Sequence, residues 1–570
     1  MFAAFLTERF PPSVVAVAGA ATMIALGMLD EKAAFAVFSN SAPLTVGAMF
    51  ILSGALIRTG VIDRVGQYVV ERAARYPRLA VVEVFGGALV ASAFLNNTPV
   101  VVVLIPVCFR LAEALGVSPK RLLMPLSVVA VLGGCLTLIG TSTNLVVAGF
   151  AEEAGLEPFG LFSITPYGLA VAAAGIVGLL VMSRLLPSDY PPSQPGVDET
   201  GEQYLTELLL AWDDPAIGQA YGDAALGIPA ASRIGLIANG RTLTGRDARG
   251  ALLEAGNRIV ARLDATALMT LREESRYTIG IGESAGEATE VVEVAIAPNH
   301  RAIGRPLSEI PFLQRQRVAL MGVSRLRHLP GPTLGETRIR AADRLLVEAD
   351  AANIEQLRSN SALIGLASAT ATAFRRRRAW IAIAAMAAVV LLSAADIISI
   401  GAAAFIAVAV ILLTRCIDAA EAWGSIDGDV LILIFAMLAV GSALDQAGSV
   451  ALMVGAVEPL LAISAPWVVI AIVYFTALIL SELLSNNAVA ALMAPLVIAI
   501  APVAGMDPHP LLIALMLGAS ACFATPVGYQ TNALVHAAGH YRFVDFVRIG
   551  VPLNILTGIA GCAALALWGS

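Results

Sequence analysis

The chain has 570 residues, of which 58% are hydrophobic and only 14% charged, with a formal net charge of −7. A soluble globule carries about a quarter charged residues, so this composition excludes an ordinary soluble enzyme and indicates a polytopic α-helical membrane protein. The net charge says little, because the charge sits in loops and in one insert; no nucleic-acid partner and no organic cofactor are expected.

In chain order, residues 1–187 are apolar, in runs long enough for spanning helices of about 20 residues. The run from about Val14 to Leu29 has no clear small-residue cleavage site and reads as a first span, not as a removable signal. Residues 188–200 form a polar, proline-rich linker within PSDYPPSQPGVDETGE. A charged block follows, in which short β-type runs (YLTELLLAW, NRIVARL, VVEVAIA, RVALMGVS, DRLLVEA) alternate with turns, the pattern of a soluble α+β unit. Phe374 and four arginines, Arg375 to Arg378, lead directly into the next apolar run. Arginines at a helix mouth mark the cytoplasmic side, which puts the inserted block in the cytoplasm. Residues 376–570 are apolar again. The five cysteines lie in apolar segments without metal-like spacing and read as small packed thiols.

The two apolar blocks repeat one another. GALIRTG (54–60) resembles SALDQAG (442–448) at an offset of 388. Ser92-x-x-x-Asn96-Asn97-Thr98 matches Ser481-x-x-x-Ser485-Asn486-Asn487 at 389, and Pro106 and Pro495 keep that offset. Gly140-Thr-Ser-Thr-Asn144 matches Gly528-Tyr-Gln-Thr-Asn532 at 388. Duplicated halves with polar breaks at corresponding places are the mark of a secondary transporter with its site at the breaks. Each half is expected to hold two or three spans, a re-entrant hairpin tipped by asparagines, a helix broken at G-x-x-T-N and a closing span.

Backbone at membrane depth must be bonded internally or line a watery cavity. Helix N-termini at the breaks offer N–H groups and partial positive charge to an anion. Ser, Thr and Asn oxygens with C-terminal carbonyls suit Na+. Ser92 and Asn96, and likewise Ser481 and Ser485, are four apart and would share a face on an unbroken helix. The bland alternative is that these residues are interhelical glue and kinks.

At these residues the chain resembles the divalent anion:sodium symporter family of the wider ion-transporter superfamily, which carries a Ser-Asn-Thr motif at each of two hairpin tips. The resemblance rests on Asn96-Asn97-Thr98, Ser485-Asn486-Asn487, GGCLTLIGTSTNL (133–145) and ATPVGYQTNAL (524–534), and covers both membrane blocks. It implies two inverted repeats, a homodimer held by scaffold helices and elevator-type movement. It implies Na+ at Ser92, Asn96, Asn97 and Gly140 and at Ser481, Ser485, Asn486 and Ala524. It implies substrate contacts at Asn97, Thr98, Ser142, Thr143, Asn486, Asn487 and Thr531. The altered tips look more like the sulfate-type branch. The insert from 291 to 350 resembles the TrkA-C domain, the C-terminal lobe of potassium-conductance regulators (RCK), with a degenerate first copy ahead of it. That gives domains at 201–278 and 279–360. Such lobes dimerise and some bind small regulatory ligands, so regulation and a purely structural role both stay open.

Glu482 sits beside the second tip where the first half has Ala93. An intramembrane carboxylate is a functional suspect, and Glu482 is a candidate proton site. Glu83 is a weaker suspect. Asp427 and Asp429 read as cap and first turn of the span from Val430. His536 and His540 lack companion ligands, and no catalytic triad or phosphate loop is present. The expectation is not an enzyme but a multi-pass plasma-membrane transporter coupling Na+, or else H+, to uptake of sulfate or another small divalent oxyanion. A di- or tricarboxylate symporter is the alternative within the class, and a ligand-gated channel the alternative outside it.

Overall fold

The computed structural model describes residues 9–61, 76–186, 203–229, 232–274, 276–282, 289–297, 302–310, 318–325, 331–358, 363–368, 374–395, 397–447 and 465–568, with residues 4, 64 and 300 besides. The linker at 188–200 and Gly448 of the first repeat match lie outside the described residues. The chain divides into two compact units, Met1–Pro191 with Arg376–Ser570, and Pro192–Arg375.

The first unit is helical. Its first part comprises α1 (Pro12–Ala25), α2 (Glu31–Ala36), α3 (Ser41–Arg58), α4 (Pro77–Phe94), α5 (Asn97–Leu115), α6 (Lys120–Gly134), α7 (Ser142–Glu153) and α8 (Thr165–Met182). Its second part comprises α9 (Ala379–Ala394), α10 (Ile400–Leu413), α11 (Ala419–Gly424), α12 (Gly428–Gln446), α13 (Pro466–Ser481), α14 (Asn486–Val503), α15 (Pro508–Ser520), α16 (Gln530–Gly539) and α17 (Phe543–Trp568). Among the described residues, six helices are long and apolar enough to cross a membrane, and six shorter apolar helices accompany them.

The helix starts repeat as the motifs do. Pro12 and Ile400, Glu31 and Ala419, and Ser142 and Gln530 are each 388 apart; Pro77 and Pro466, and Asn97 and Asn486, are 389 apart. Only α9 has no counterpart among the described helices. Packing is reciprocal and crosses between the halves. Helix α1 packs on α12 and α10 on α3; α7 packs on α14 and α16 on α5; α8 packs on α17. Small residues permit the closest approaches, as expected between membrane helices. A Cβ on Gly168 would stand 2.2 Å from the Cys135 carbonyl oxygen, and one on Gly550 2.1 Å from that of Phe523. Cys135 and Phe523 are again 388 apart, so each closing helix leans on the start of its own half's unwound segment.

The second unit carries one antiparallel sheet of nine strands, β1 (Gln203–Leu210), β2 (Arg233–Ala238), β3 (Arg241–Thr244), β4 (Arg258–Asp264), β5 (Tyr277–Ile279), β6 (Thr289–Ile296), β7 (Ala319–Ser324), β8 (Arg344–Asp350) and β9 (Leu363–Ser368). The order is β3-β2-β4-β1-β7-β8-β6-β9, with β5 also on β1. It is a tandem repeat: β1 and β6, β2 and β7, β4 and β8, and β5 and β9 start 86 residues apart and occur in the same spatial order. Successive residues of β1 feed opposite faces, Tyr204 and Leu208 joining one core and Leu205 the other. Glu207, buried on β1, ties the copies together by accepting from the backbone N–H of Leu334 at 2.8 Å and of Gly335 at 3.2 Å.

Candidate substrate and cation site

The hairpin tips break their helices more sharply than the four-residue spacing implies. Helix α4 ends at Phe94, Leu95 is extended (φ −122°, ψ 152°), and Asn96 caps α5 by accepting from the Thr98 N–H at 3.4 Å. Ser92 is therefore inside one helix and Asn96 at the mouth of the next, not on one helical face. Ser481 and Ser485 are separated the same way, as the last residue of α13 and the N-cap of α14. At the first tip the amide favours the break, since Asn competes for backbone donors at a cap better than it serves a helix interior; at the second, Ser485 makes no such cap.

Four helix N-termini meet where the tips and broken helices cross. Thr98 at the first tip donates to Gln530 Oε1 of the second broken helix at 2.9 Å. Reciprocally, Ser142 and Thr143 of the first broken helix each donate to Asn487 Oδ1 of the second tip at 3.1 Å. Asn97 Nδ2 donates to the Tyr529 hydroxyl at 2.8 Å, and that hydroxyl lies 3.1 Å from Thr141 Oγ1. Thr531 is fully buried and accepts from Ser127 at 2.8 Å.

Each unwound segment is held by the asparagine that ends its own G-x-x-T-N motif. Asn144 Nδ2 donates to the carbonyls of Gly134 at 3.3 Å and Thr137 at 3.0 Å. Asn532 Nδ2 donates to those of Cys522 and Thr525, both at 3.1 Å. The two brackets correspond at 388 residue by residue. They supply donors to interior carbonyls, of which that of Thr137 also accepts from the Gly140 N–H at 3.3 Å.

The residues fit a cation. Ser92 Oγ, Asn97 Oδ1 and Asn144 Oδ1 are buried acceptors without a hydrogen-bond partner. A Cβ on Gly134 would stand 2.8 Å from Asn97 Oδ1, and one on Gly140 3.0 Å from the Ser92 carbonyl oxygen. The glycines thus leave the space these oxygens face. Oxygen ligands are what a hard cation takes. In the second half the counterpart of Gly140 is Gly528, where a Cβ would stand 3.2 Å from the Ser481 carbonyl oxygen and 3.0 Å from Glu482 Oε2. Glu482 Oε2 is buried and unpartnered, while Oε1 accepts from the Ala524 N–H at 2.8 Å and from Asn554 Nδ2 at 2.7 Å. Asn554 Oδ1 in turn accepts from the Phe523 N–H at 3.0 Å. The second half therefore presents a carboxylate where the first presents neutral oxygens. Asn486 is buried with the Cys522 thiol 3.7 Å from its Oδ1. Ser485 is exposed and makes no side-chain cap.

Sequence reading missed Tyr529, Gln530, Asn144, Asn532, Gly528 and Asn554. The first five lie inside the repeated motif, so the repeat itself was the available signal; Asn554 had none. Asp427 accepts from the Val430 N–H at 3.3 Å and Asp429 from Ser13 at 2.8 Å. Among the described residues no group of three or more His, Cys, Asp or Glu is placed to hold a metal ion.

The family model described as the citrate transporter, CitMHS, matches residues 2–518. The chain belongs to the CitMHS family. It is thus a transporter of the ion-transporter superfamily, not an enzyme, and a multi-pass membrane protein. This CitMHS chain is 30% identical to an uncharacterized transporter, YfbS, of Escherichia coli, over 98% of its own length and 96% of the relative's. It is 29% identical to an uncharacterized transporter of Synechocystis over 98% and 93%. It is 25% identical to sodium/sulfate cotransporter 1 of Chlamydomonas reinhardtii over 91% and 83%. Among solved structures, the YdaH transporter of Alcanivorax borkumensis aligns over 98% of both chains at 12% identity and a TM-score of 0.48.

Proposed function

We propose that this CitMHS protein is a Na+-coupled symporter of sulfate or another small divalent oxyanion, working by an elevator-type movement. The observation that carries the reading is the reciprocal meeting of tips and broken helices, Thr98 with Gln530 and Asn487 with Ser142 and Thr143. It gathers the N-termini of α5, α7, α14 and α16. Each terminus offers about half a positive charge, so four supply about two, the magnitude a dianion needs where the motifs hold no Arg or Lys. Na+ would be held by Ser92, Asn97, Asn144 and the carbonyls beside Gly140 in one half, and by Ser481, Asn486, Glu482 and the backbone near Gly528 in the other. Bound Na+ supplies the remaining counter-charge. The cotransporters named for sodium and sulfate among the relatives favour sulfate; the citrate description of the family favours a di- or tricarboxylate, which is the second reading.

The parity of spans supports inverted repeats. Helices α1, α3, α6–α7 and α8 make four crossings, and each hairpin returns to its starting face. The unpaired α9 adds a fifth, so α10 enters from the face opposite to α1. The arginines before α9 favour a cytoplasmic insert in a plasma-membrane protein. We read the two 86-residue copies as TrkA-C-like lobes, and the scaffold of α1, α3, α10 and α12 as the part that holds a homodimer.

The test is radiolabelled sulfate uptake into proteoliposomes with and without an inward Na+ gradient, beside succinate and citrate. Na+-driven sulfate uptake, abolished by Asn97→Ala and by Asn486→Ala, is expected. Uptake of a carboxylate instead would move the substrate to the second reading. No gradient-driven uptake of any of the three by folded protein would overturn the symport reading.

A further inference from the structure

The site is two-fold in its backbone and not in its side chains. Thr141 and Tyr529 are the N-caps of the two broken helices, with φ/ψ of −143°/146° and −141°/142°. The residues that follow are Ser142 and Gln530. One half thus brings Thr-Ser to the crossing and the other brings Tyr-Gln on the same backbone. A cleft of about 20 Å³ lies on the Thr-Ser side, between α3 and the first half's tip and broken helix, with Phe50, Ser53, Asn96, Thr141 and Ser142 in its lining. Neither Tyr529 nor Gln530 lines it. The phenol instead reaches across to Asn97 and Thr141, its hydroxyl 2.8 Å and 3.1 Å from them.

We infer that Tyr529 sets the size limit of the substrate anion. The inference rests on the proposed reading that the crossing is the anion site, and it names the residue that decides which anions enter. A pocket lined equally by both halves would have room on both sides of the axis for a chain carrying a carboxylate at each end. The phenol occupies one of those sides. What remains admits an anion whose two charges sit on one compact centre, held by the hydroxyls of Thr141, Ser142, Thr98 and Tyr529 itself. Gln530, longer than Ser142 at the same position, narrows the same side.

The experiment is thermal stabilisation of the purified full-length protein in Na+ by dianions of increasing length: sulfate, malonate, succinate and glutarate. The wild type is expected to be stabilised by sulfate, with the effect cut off as the chain lengthens. Tyr529→Thr, which copies the first half, is expected to move the cut-off to longer anions and to tighten succinate at least tenfold relative to sulfate. Tyr529→Phe keeps the ring and is expected to keep the wild-type cut-off with weaker binding throughout. If Tyr529→Thr does not fold, Tyr529→Leu supplies the smaller side chain. An unchanged cut-off in a folded small-residue variant, or the same shift in Tyr529→Phe, overturns the inference. Wild-type stabilisation by succinate and not by sulfate overturns the inference together with the oxyanion reading, whereas an unchanged cut-off in Tyr529→Thr beside wild-type sulfate stabilisation overturns the inference alone.

Discussion

Thr141 and Tyr529 are 388 residues apart, and their hydroxyl oxygens lie 3.1 Å from one another. They are equivalent positions of the two sequence repeats, so the two halves touch through matching residues here. The energetics of each half can be probed by matched substitutions.

The asparagine brackets give the first pair. Asn144→Ala removes two donated hydrogen bonds and leaves the Gly134 carbonyl without its side-chain donor, while Thr137 still accepts from the Gly140 N–H; Asn532→Ala removes two donated bonds and one accepted from Ser127. Each is expected to cost about 2–4 kcal/mol of stability, read as a lowered melting temperature in detergent. Asn144→Ala also removes a buried free oxygen and is expected to weaken Na+-dependent stabilisation further. Asn532→Ala, whose Oδ1 already accepts from Ser127 at 2.7 Å, is expected to lose stability with less change in Na+ response.

Glu482 separates charge from shape. Glu482→Gln keeps an acceptor for the Ala524 N–H and Asn554 and is expected to fold. It removes the negative charge facing Gly528, so the Na+ concentration for half-maximal stabilisation should rise at least tenfold. An unchanged Na+ response would remove Glu482 from the cation site. Glu482→Ala strands both donors and is expected to destabilise by about 1–3 kcal/mol per donor.

Gly134→Ala places a methyl 2.8 Å from the Asn97 side chain. The expected result is folded protein with uptake reduced at least tenfold, because a small displacement of a positioned group is enough to lose a binding geometry. Gly86→Ala, with open space around its Cβ, is the matched control and should leave uptake unchanged.

Much of this was legible in the chain. The repeats, the tips and the broken helices follow from polar residues spaced alike in two apolar blocks, since lipid tolerates such breaks only at a site. Strands β1, β4, β6, β7 and β8 of the insert follow from its β-type runs, while β2, β3, β5 and β9 were not legible in them. The partner of each polar residue was not legible, because Asn97 meets Tyr529 and Thr98 meets Gln530 across 432 residues, and local pattern does not encode which surfaces cross. Ser92 and Asn96 were expected on one helix face for the same reason: spacing describes a helix, and the extended Leu95 that ends it is fixed by what the tip packs against.

The insert supplies a pH test. The Arg276 guanidinium donates to both oxygens of Asp214, at 2.8 and 2.9 Å, and holds its carboxyl below the usual aspartate value. A depressed folded pKa stabilises above the unfolded pKa, about 3.9, and that stabilisation is lost as pH falls through the folded value. Acid titration of the full-length protein should therefore show a transition below about pH 4, reported by the exposed neighbour Trp212. Asp214→Asn should flatten it.

The crossed packing has a biosynthetic consequence. Helix α1 rests on α12, and Ser13 bonds Asp429 across 416 residues. At translation rates of about 5–20 residues per second, the first half waits roughly 20–80 s in the bilayer before its partner is made. During that interval Asn97 and Thr98 of its tip and Ser142 and Thr143 of its broken helix lack the second-half groups they bond. The chain is therefore one whose first helices must be sheltered at the insertion machinery, or by membrane chaperones, until the last third has been synthesised.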